Sequence, residues 1–114
     1  MPRYVILEHD HPSLHWDLML EGETGLRTWR LAAPPELGKI IAATSIFIHR
    51  REYLDYEGPV SGNRGRVVRW DHGTFRRLKT AEGRLLVELR GLRLRGTAVL
   101  EQVLGEEWTF RLAD

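Results

Sequence analysis

The residues of this 114-residue chain best suited to chemistry form one short run, His9-Asp10-His11-Pro12-Ser13-Leu14-His15-Trp16-Asp17. It holds three of the five histidines in the sequence and two carboxylates. Leu14 to Leu20 alternates closely enough between apolar and other residues, with Met19 the exception, to predict a half-buried β-strand. Successive strand side chains point to opposite faces, so His15 and Asp17 share one face with Met19. Leu14, Trp16, Leu18 and Leu20 form the other face, toward a core. Tyr4-Val5-Ile6-Leu7 predicts a preceding strand that ends at His9, and a turn at His11-Pro12-Ser13 would fold His9 back beside His15. Two imidazoles and a carboxylate on one face are a ligand set for a divalent metal with open coordination positions. These ligands suit manganese, iron or zinc, and the lack of thiolate argues against a closed structural zinc site. A lone strand histidine is ordinarily only hydrogen bonded and a single His–Asp pair only a salt bridge; the clustering is what points to a metal.

The elements that must position this face are short strands. Glu21 to Gly25 is a turn into Leu26–Leu31, making a hairpin. Pro34 to Gly38 is a loop, and the β-branched and aromatic residues within 39–48 favour a further strand. The polar stretch His49–Glu57, with Tyr53 and Tyr56, suits a short helical turn. Gly58–Gly65 is a glycine-rich loop; such loops can cradle phosphate, but without a strand–loop–helix context a plain surface loop is the simpler reading. Beyond it come Arg66–Trp70, a turn at Asp71-His72-Gly73, Thr74–Leu78, a turn at Ala81–Gly83, Arg84–Arg90, Leu92–Arg95, Thr97–Val103 and Glu107–Leu112. His72 is read as a turn residue, and Trp16, Trp29, Trp70 and Trp108 as core. The expectation is an all-β single domain over 1–114, a small antiparallel barrel of about eight strands with short helical turns.

Composition narrows the classes. Hydrophobic residues make up 42% and charged residues 29%, as in an ordinary globular domain. There is no apolar run of membrane-spanning length and no signal-peptide pattern at Met1-Pro2-Arg3, so no membrane association and a cytoplasmic location are expected. The absence of cysteine excludes disulfides, thiolate metal sites and cysteine nucleophiles. The 17 Lys+Arg nearly balance 16 Asp+Glu. That balance does not itself signal nucleic acid, although arginines can position phosphate by bidentate hydrogen bonds.

His9-Asp10, Leu14-His15-Trp16-Asp17 and Leu20-Glu21 resemble the opening of the 3′-phosphoesterase domain of bacterial DNA ligase D. The similarity continues at Thr28-Trp29, at His49 with Tyr53, at Asp55–Gly58 and at Val68–Phe75, and ends around Leu89–Gly91 and Leu94–Gly96. It covers roughly Arg3 to Val103. The resemblance implies a β-barrel enzyme of DNA repair and non-homologous end joining. It would act on DNA 3′ ends of a primer–template, removing a 3′-phosphate or a 3′-terminal ribonucleotide. Manganese is the metal implied, with zinc or another divalent ion as alternative, and a separate ligase and polymerase as possible partners. By the same resemblance His9, His15 and Asp17 are the metal ligands. His49 would contact the scissile phosphate, near its reference pKa of about 6.5, and Tyr53 would serve the phosphomonoesterase step.

The chain departs from that pattern where cations are expected. Met19 stands where the family has an arginine, Ala33 near where it has a lysine, and residues 39–41 supply no further arginine. Phe47-Ile48 replaces an acidic pair. Arg27, Arg30, Arg50, Arg64 and Arg66 are the cations available to compensate, with Arg64 and Arg66 assigned to substrate binding. Two other functions fit the departures: a non-catalytic module that binds DNA ends or phosphate, and an esterase for another phosphate ester, cyclic or small.

Overall fold

Tyr4-Val5-Ile6-Leu7 buries both of its alternating sets of side chains, because its strand is covered on both sides. The computed structural model describes all of residues 1–114. It contains β1 (Arg3–His9), β2 (His15–Glu21), β3 (Leu26–Leu31), β4 (Ile40–His49), a 3₁₀ turn (Arg51–Leu54), β5 (Gly58–Pro59), β6 (Arg66–Ala81), β7 (Arg84–Gly91), β8 (Arg95–Leu104) and β9 (Glu107–Ala113). The strands run antiparallel in the order β1-β2-β3-β4-β9-β8-β7-β6, and β6 pairs back onto β1, so eight strands close a barrel. The two-residue β5 lies on the edge of β6. The expected all-β antiparallel barrel is what the chain forms, with a single 3₁₀ turn where short helical turns were expected.

Tyr4, Ile6, Leu18, Leu20, Trp29, Phe75, Leu89 and Phe110 belong to the main core. A second cluster, Val5, Leu7, Met19, Leu26, Leu54 and Val67, sits on the other face of β1, β2 and β3. Leu54 of the 3₁₀ turn closes it. Burying these faces removes several large apolar side chains from water at about 1.5–3 kcal/mol each. The 3₁₀ turn is held down at its C-terminal end: Arg3 Nη2 donates to Asp55 Oδ1 at 2.6 Å, and Arg69 Nη1 donates to the Leu54 carbonyl at 3.4 Å. The Arg3 guanidinium holds the Asp55 carboxyl below the usual carboxylate range.

Three local expectations are corrected. Asp71-His72-Gly73 is not a turn but the middle of the continuous strand β6. Asp71 is buried there and accepts from Tyr4 Oη (2.6 Å) and from the backbone N–H groups of Arg93 (2.8 Å) and Leu94 (3.2 Å). Burial, then the bond to Asp71, pushes the Tyr4 phenol far above its ordinary value. Gly73 is glycine because a Cβ would lie 2.0 Å from the Arg90 carbonyl oxygen on the paired strand. Leu92–Arg95 is not a separate strand: the Gly91 N–H bonds the Leu94 carbonyl at 2.8 Å in the turn between β7 and β8. Leu14 precedes β2 and is 55% exposed, so the core face of that strand is Leu18 and Leu20, with Trp16 packed at its edge.

Candidate active site

The alternation that sends Ile6, Leu18 and Leu20 into the barrel sends His9, His15 and Asp17 to its outer wall, next to the second cluster. His9 ends β1 and His15 opens β2, directly opposite in the antiparallel ladder. The expected fold-back of His9 is therefore found, through a connection with a cis His11–Pro12 bond. The imidazole centroids are 4.9 Å apart. One potential ligand atom from each of His9, His15 and Asp17 lies within 4.8 Å of the others. His15 and Asp17 are buried.

Backbone carbonyls orient both imidazoles. His9 Nε2 is 2.8 Å from the Arg64 carbonyl oxygen, and His15 Nδ1 is 2.8 Å from that of Ser13. A carbonyl only accepts, so these nitrogens donate. In the neutral rings the lone pairs are then His9 Nδ1 and His15 Nε2, which stand 4.0 and 3.2 Å from Asp17 Oδ2. Asp17 Oδ1 is buried with no hydrogen-bond partner. Two imidazole lone pairs and a carboxylate facing one another offer donor atoms to a cation between them. This set, with outer nitrogens tied to carbonyls, is how proteins prepare histidines for a metal. The residues fit a divalent ion.

The glycine-rich loop is more than surface here. Its Arg64 carbonyl fixes His9, and Asp10 Oδ1 accepts the Arg66 N–H at 2.8 Å. Gly65 permits that contact, since it has φ +75° and a Cβ there would fall 2.1 Å from Asp10 Oδ1. His9 and Asp17 line a cleft of about 420 Å³ together with Met19, Arg30, Phe47, His49, Tyr53 and Arg64, while His15 is buried and does not line it.

His49 ends β4, and its Nδ1 lies 3.0 Å from both the Phe47 carbonyl oxygen and Thr28 Oγ1. The Thr28 hydroxyl gives its own proton to the Leu26 carbonyl. Nδ1 is thus the donor, and Nε2 is left free for a ligand. Burial lowers the His49 pKa from its ordinary value, against the opposing pull of Asp17. That revises the expectation of a near-reference histidine. Phe47 stacks on His49 (4.5 Å, 15°), and Tyr53 meets it edge-on at 5.7 Å.

The structure brings His9, Asp17, His49 and Tyr53 to one cleft, with His15 buried against His9 and Asp17. Arg64 lines it too, but its guanidinium bonds Ser61, through Nε to the carbonyl at 2.7 Å and Nη2 to Oγ at 3.1 Å. The Arg66 side chain is exposed and does not line the cleft. Arg27 stacks over Trp29 at 4.5 Å, on the opposite face of β3. Arg30 does line the cleft, directly opposite Asp17 in the β2–β3 ladder. Strand parity alone places Arg30 on the face of Thr28, but only the register places it against Asp17.

Residues 7–102 match the family described as the DNA Ligase D 3′-phosphoesterase domain. The chain is 30% identical over 116 residues to the multifunctional non-homologous end joining protein LigD of Mycobacterium bovis, a match covering 92% of this chain and 15% of the relative. The match to the multifunctional non-homologous end joining DNA repair protein LigD of Mycobacterium tuberculosis has the same identity and coverage. A match to the LigD of Pseudomonas aeruginosa is 30% identical over 78 residues, covering 64% of this chain and 9% of that protein. The chain thus spans about 15% of the length of the mycobacterial relatives.

Proposed function

The chain belongs to the DNA ligase D 3′-phosphoesterase domain family, and from that membership and the cleft geometry we propose that it is a metal-dependent phosphoesterase acting on DNA 3′ ends. Its reaction is removal of a terminal 3′-phosphate or a 3′-terminal ribonucleotide. The observation that carries this is the convergence of His9 Nδ1, His15 Nε2 and the Asp17 carboxylate beside His49 and Tyr53.

His9, His15 and Asp17 hold a divalent ion, manganese by the family resemblance. When bound, it supplies Lewis acidity toward a phosphoryl oxygen. The chain's own residues do the rest. His49 offers Nε2 to the phosphate. An approaching phosphate dianion opposes the effect of burial, so His49 takes up a proton on binding and then donates to a phosphoryl oxygen. Tyr53 flanks His49 and, with Phe47, restricts its ring. Membership in an end-joining system, beside a ligase and a polymerase, belongs to the same proposal.

A 5′-labelled primer–template ending in a 3′-phosphate or a single 3′-ribonucleotide tests it, with protein and manganese. A metal-dependent change in primer mobility, absent in His9→Ala and His49→Ala, is expected. An unchanged primer despite manganese bound at the three ligands would contradict it, leaving a phosphate-binding module or an esterase for another phosphate ester.

A further inference from the structure

Arg30 Nε and Asp17 Oδ1 face each other across β2 and β3 at 3.8 Å. Both atoms are buried, and neither has a hydrogen-bond partner. The gap is too long for a hydrogen bond, so the pair leaves two buried polar atoms unsatisfied, an expensive arrangement unless a ligand completes it. Asp17 is the carboxylate paired with Arg30, and a cation drawn to that carboxylate leaves the guanidinium open to an outside anion.

The other arginines that line the cleft are already engaged. Arg64 holds Ser61, and Arg50 Nε lies 3.3 Å from Glu52 Oε1 on an 80% exposed side chain. Met19, which shares the face of Asp17, is apolar and buried. Arg30 is the cleft cation whose Nε is buried without a hydrogen-bond partner, and its side chain is still 41% exposed.

We infer that Arg30 is the phosphate-binding residue of the cleft, its guanidinium taking a phosphoryl oxygen while Asp17 is turned to the metal. A planar guanidinium anchored along β3 offers a fixed fork, the geometry that suits phosphate oxygens. The inference rests on the phosphoesterase reading for the identity of the ester, but not for the presence of an anion site.

The test separates the two. Inorganic phosphate is titrated calorimetrically into manganese-loaded wild type, Arg30→Gln and Arg30→Lys, and KM and kcat are measured on the 3′-phosphorylated primer. Manganese affinity is measured in each. Phosphate affinity should fall at least tenfold in Arg30→Gln and recover only partly in Arg30→Lys, with manganese affinity within threefold of wild type. The loss on the primer should appear chiefly in KM. Phosphate binding that depends on Arg30 in a protein inactive on primers would uphold the anion site and overturn the substrate. Unchanged phosphate affinity in Arg30→Gln, no phosphate binding by wild type, or a parallel loss of manganese would overturn the role of Arg30; the last would make it a positioning residue for Asp17.

Discussion

His15 Nε2 lies 3.2 Å from Asp17 Oδ2 while His15 Nδ1 is committed to the Ser13 carbonyl. The carbonyl sets which nitrogen is free, and the strand alternation sets where it points. His15→Ala removes that nitrogen. Manganese affinity, read by calorimetry or electron paramagnetic resonance, should fall by at least about a hundredfold, since even residues behind metal ligands commonly account for ten- to a hundredfold. Unchanged affinity would remove His15 from the ligand set.

A ligand that binds only the folded state stabilises it. At a hundred times its dissociation constant, manganese should add about 2.7 kcal/mol, raising Tm by about 10 °C for a domain of this size. A chelator should reverse the rise, and His15→Ala should not show it. Calorimetric melts check both.

The convergence of His9, His15 and Asp17 was legible in sequence because it depends on local rules. Alternation put His15 and Asp17 on one face, and a short turn after His9 left only one sensible fold-back. Asp71-His72-Gly73 defeated the same reasoning. Asp and Gly favour turns locally, yet here Asp71 serves a tyrosine 67 residues away and Gly73 makes room for a neighbouring strand. Arg64 contributes through its backbone carbonyl, which no side-chain pattern announces. Arg30 looks like any outward strand arginine until the register sets it against Asp17.

His49 couples pH to stability. Its folded-state pKa is lowered by burial, so the unfolded chain binds the extra proton more readily. Its contribution is fully present above the unfolded value of about 6.5 and is lost as pH falls through the folded value. His49→Gln should therefore flatten the fall in Tm below that pH. An equally steep fall in the variant would contradict the assignment.

Met19 is 1% exposed within the second cluster. Met19→Arg should bury an unpaired charge among Val5, Leu7 and Leu54, destabilising the fold by several kcal/mol rather than restoring a phosphate contact. Denaturant unfolding measures the loss, and a stable variant with higher esterase activity would contradict it.

Leu54 is 3% exposed and pins the 3₁₀ turn that carries Tyr53. Leu54→Ala should cost about 2–5 kcal/mol and loosen Tyr53 against His49. Hydrogen exchange over residues 51–56 should rise more than over β8 and β9. Equal changes throughout would mean that the turn has no stability of its own to lose.

The most direct measurement is release of inorganic phosphate from a 3′-phosphorylated primer–template at saturating manganese, comparing wild type with Asp17→Asn. We expect multiple turnovers by wild type and at least a hundredfold slower release by the variant, with the barrel intact by circular dichroism. Equal rates for the two proteins, or no release by a wild type that binds manganese, would contradict a phosphoesterase centred on His9, His15 and Asp17.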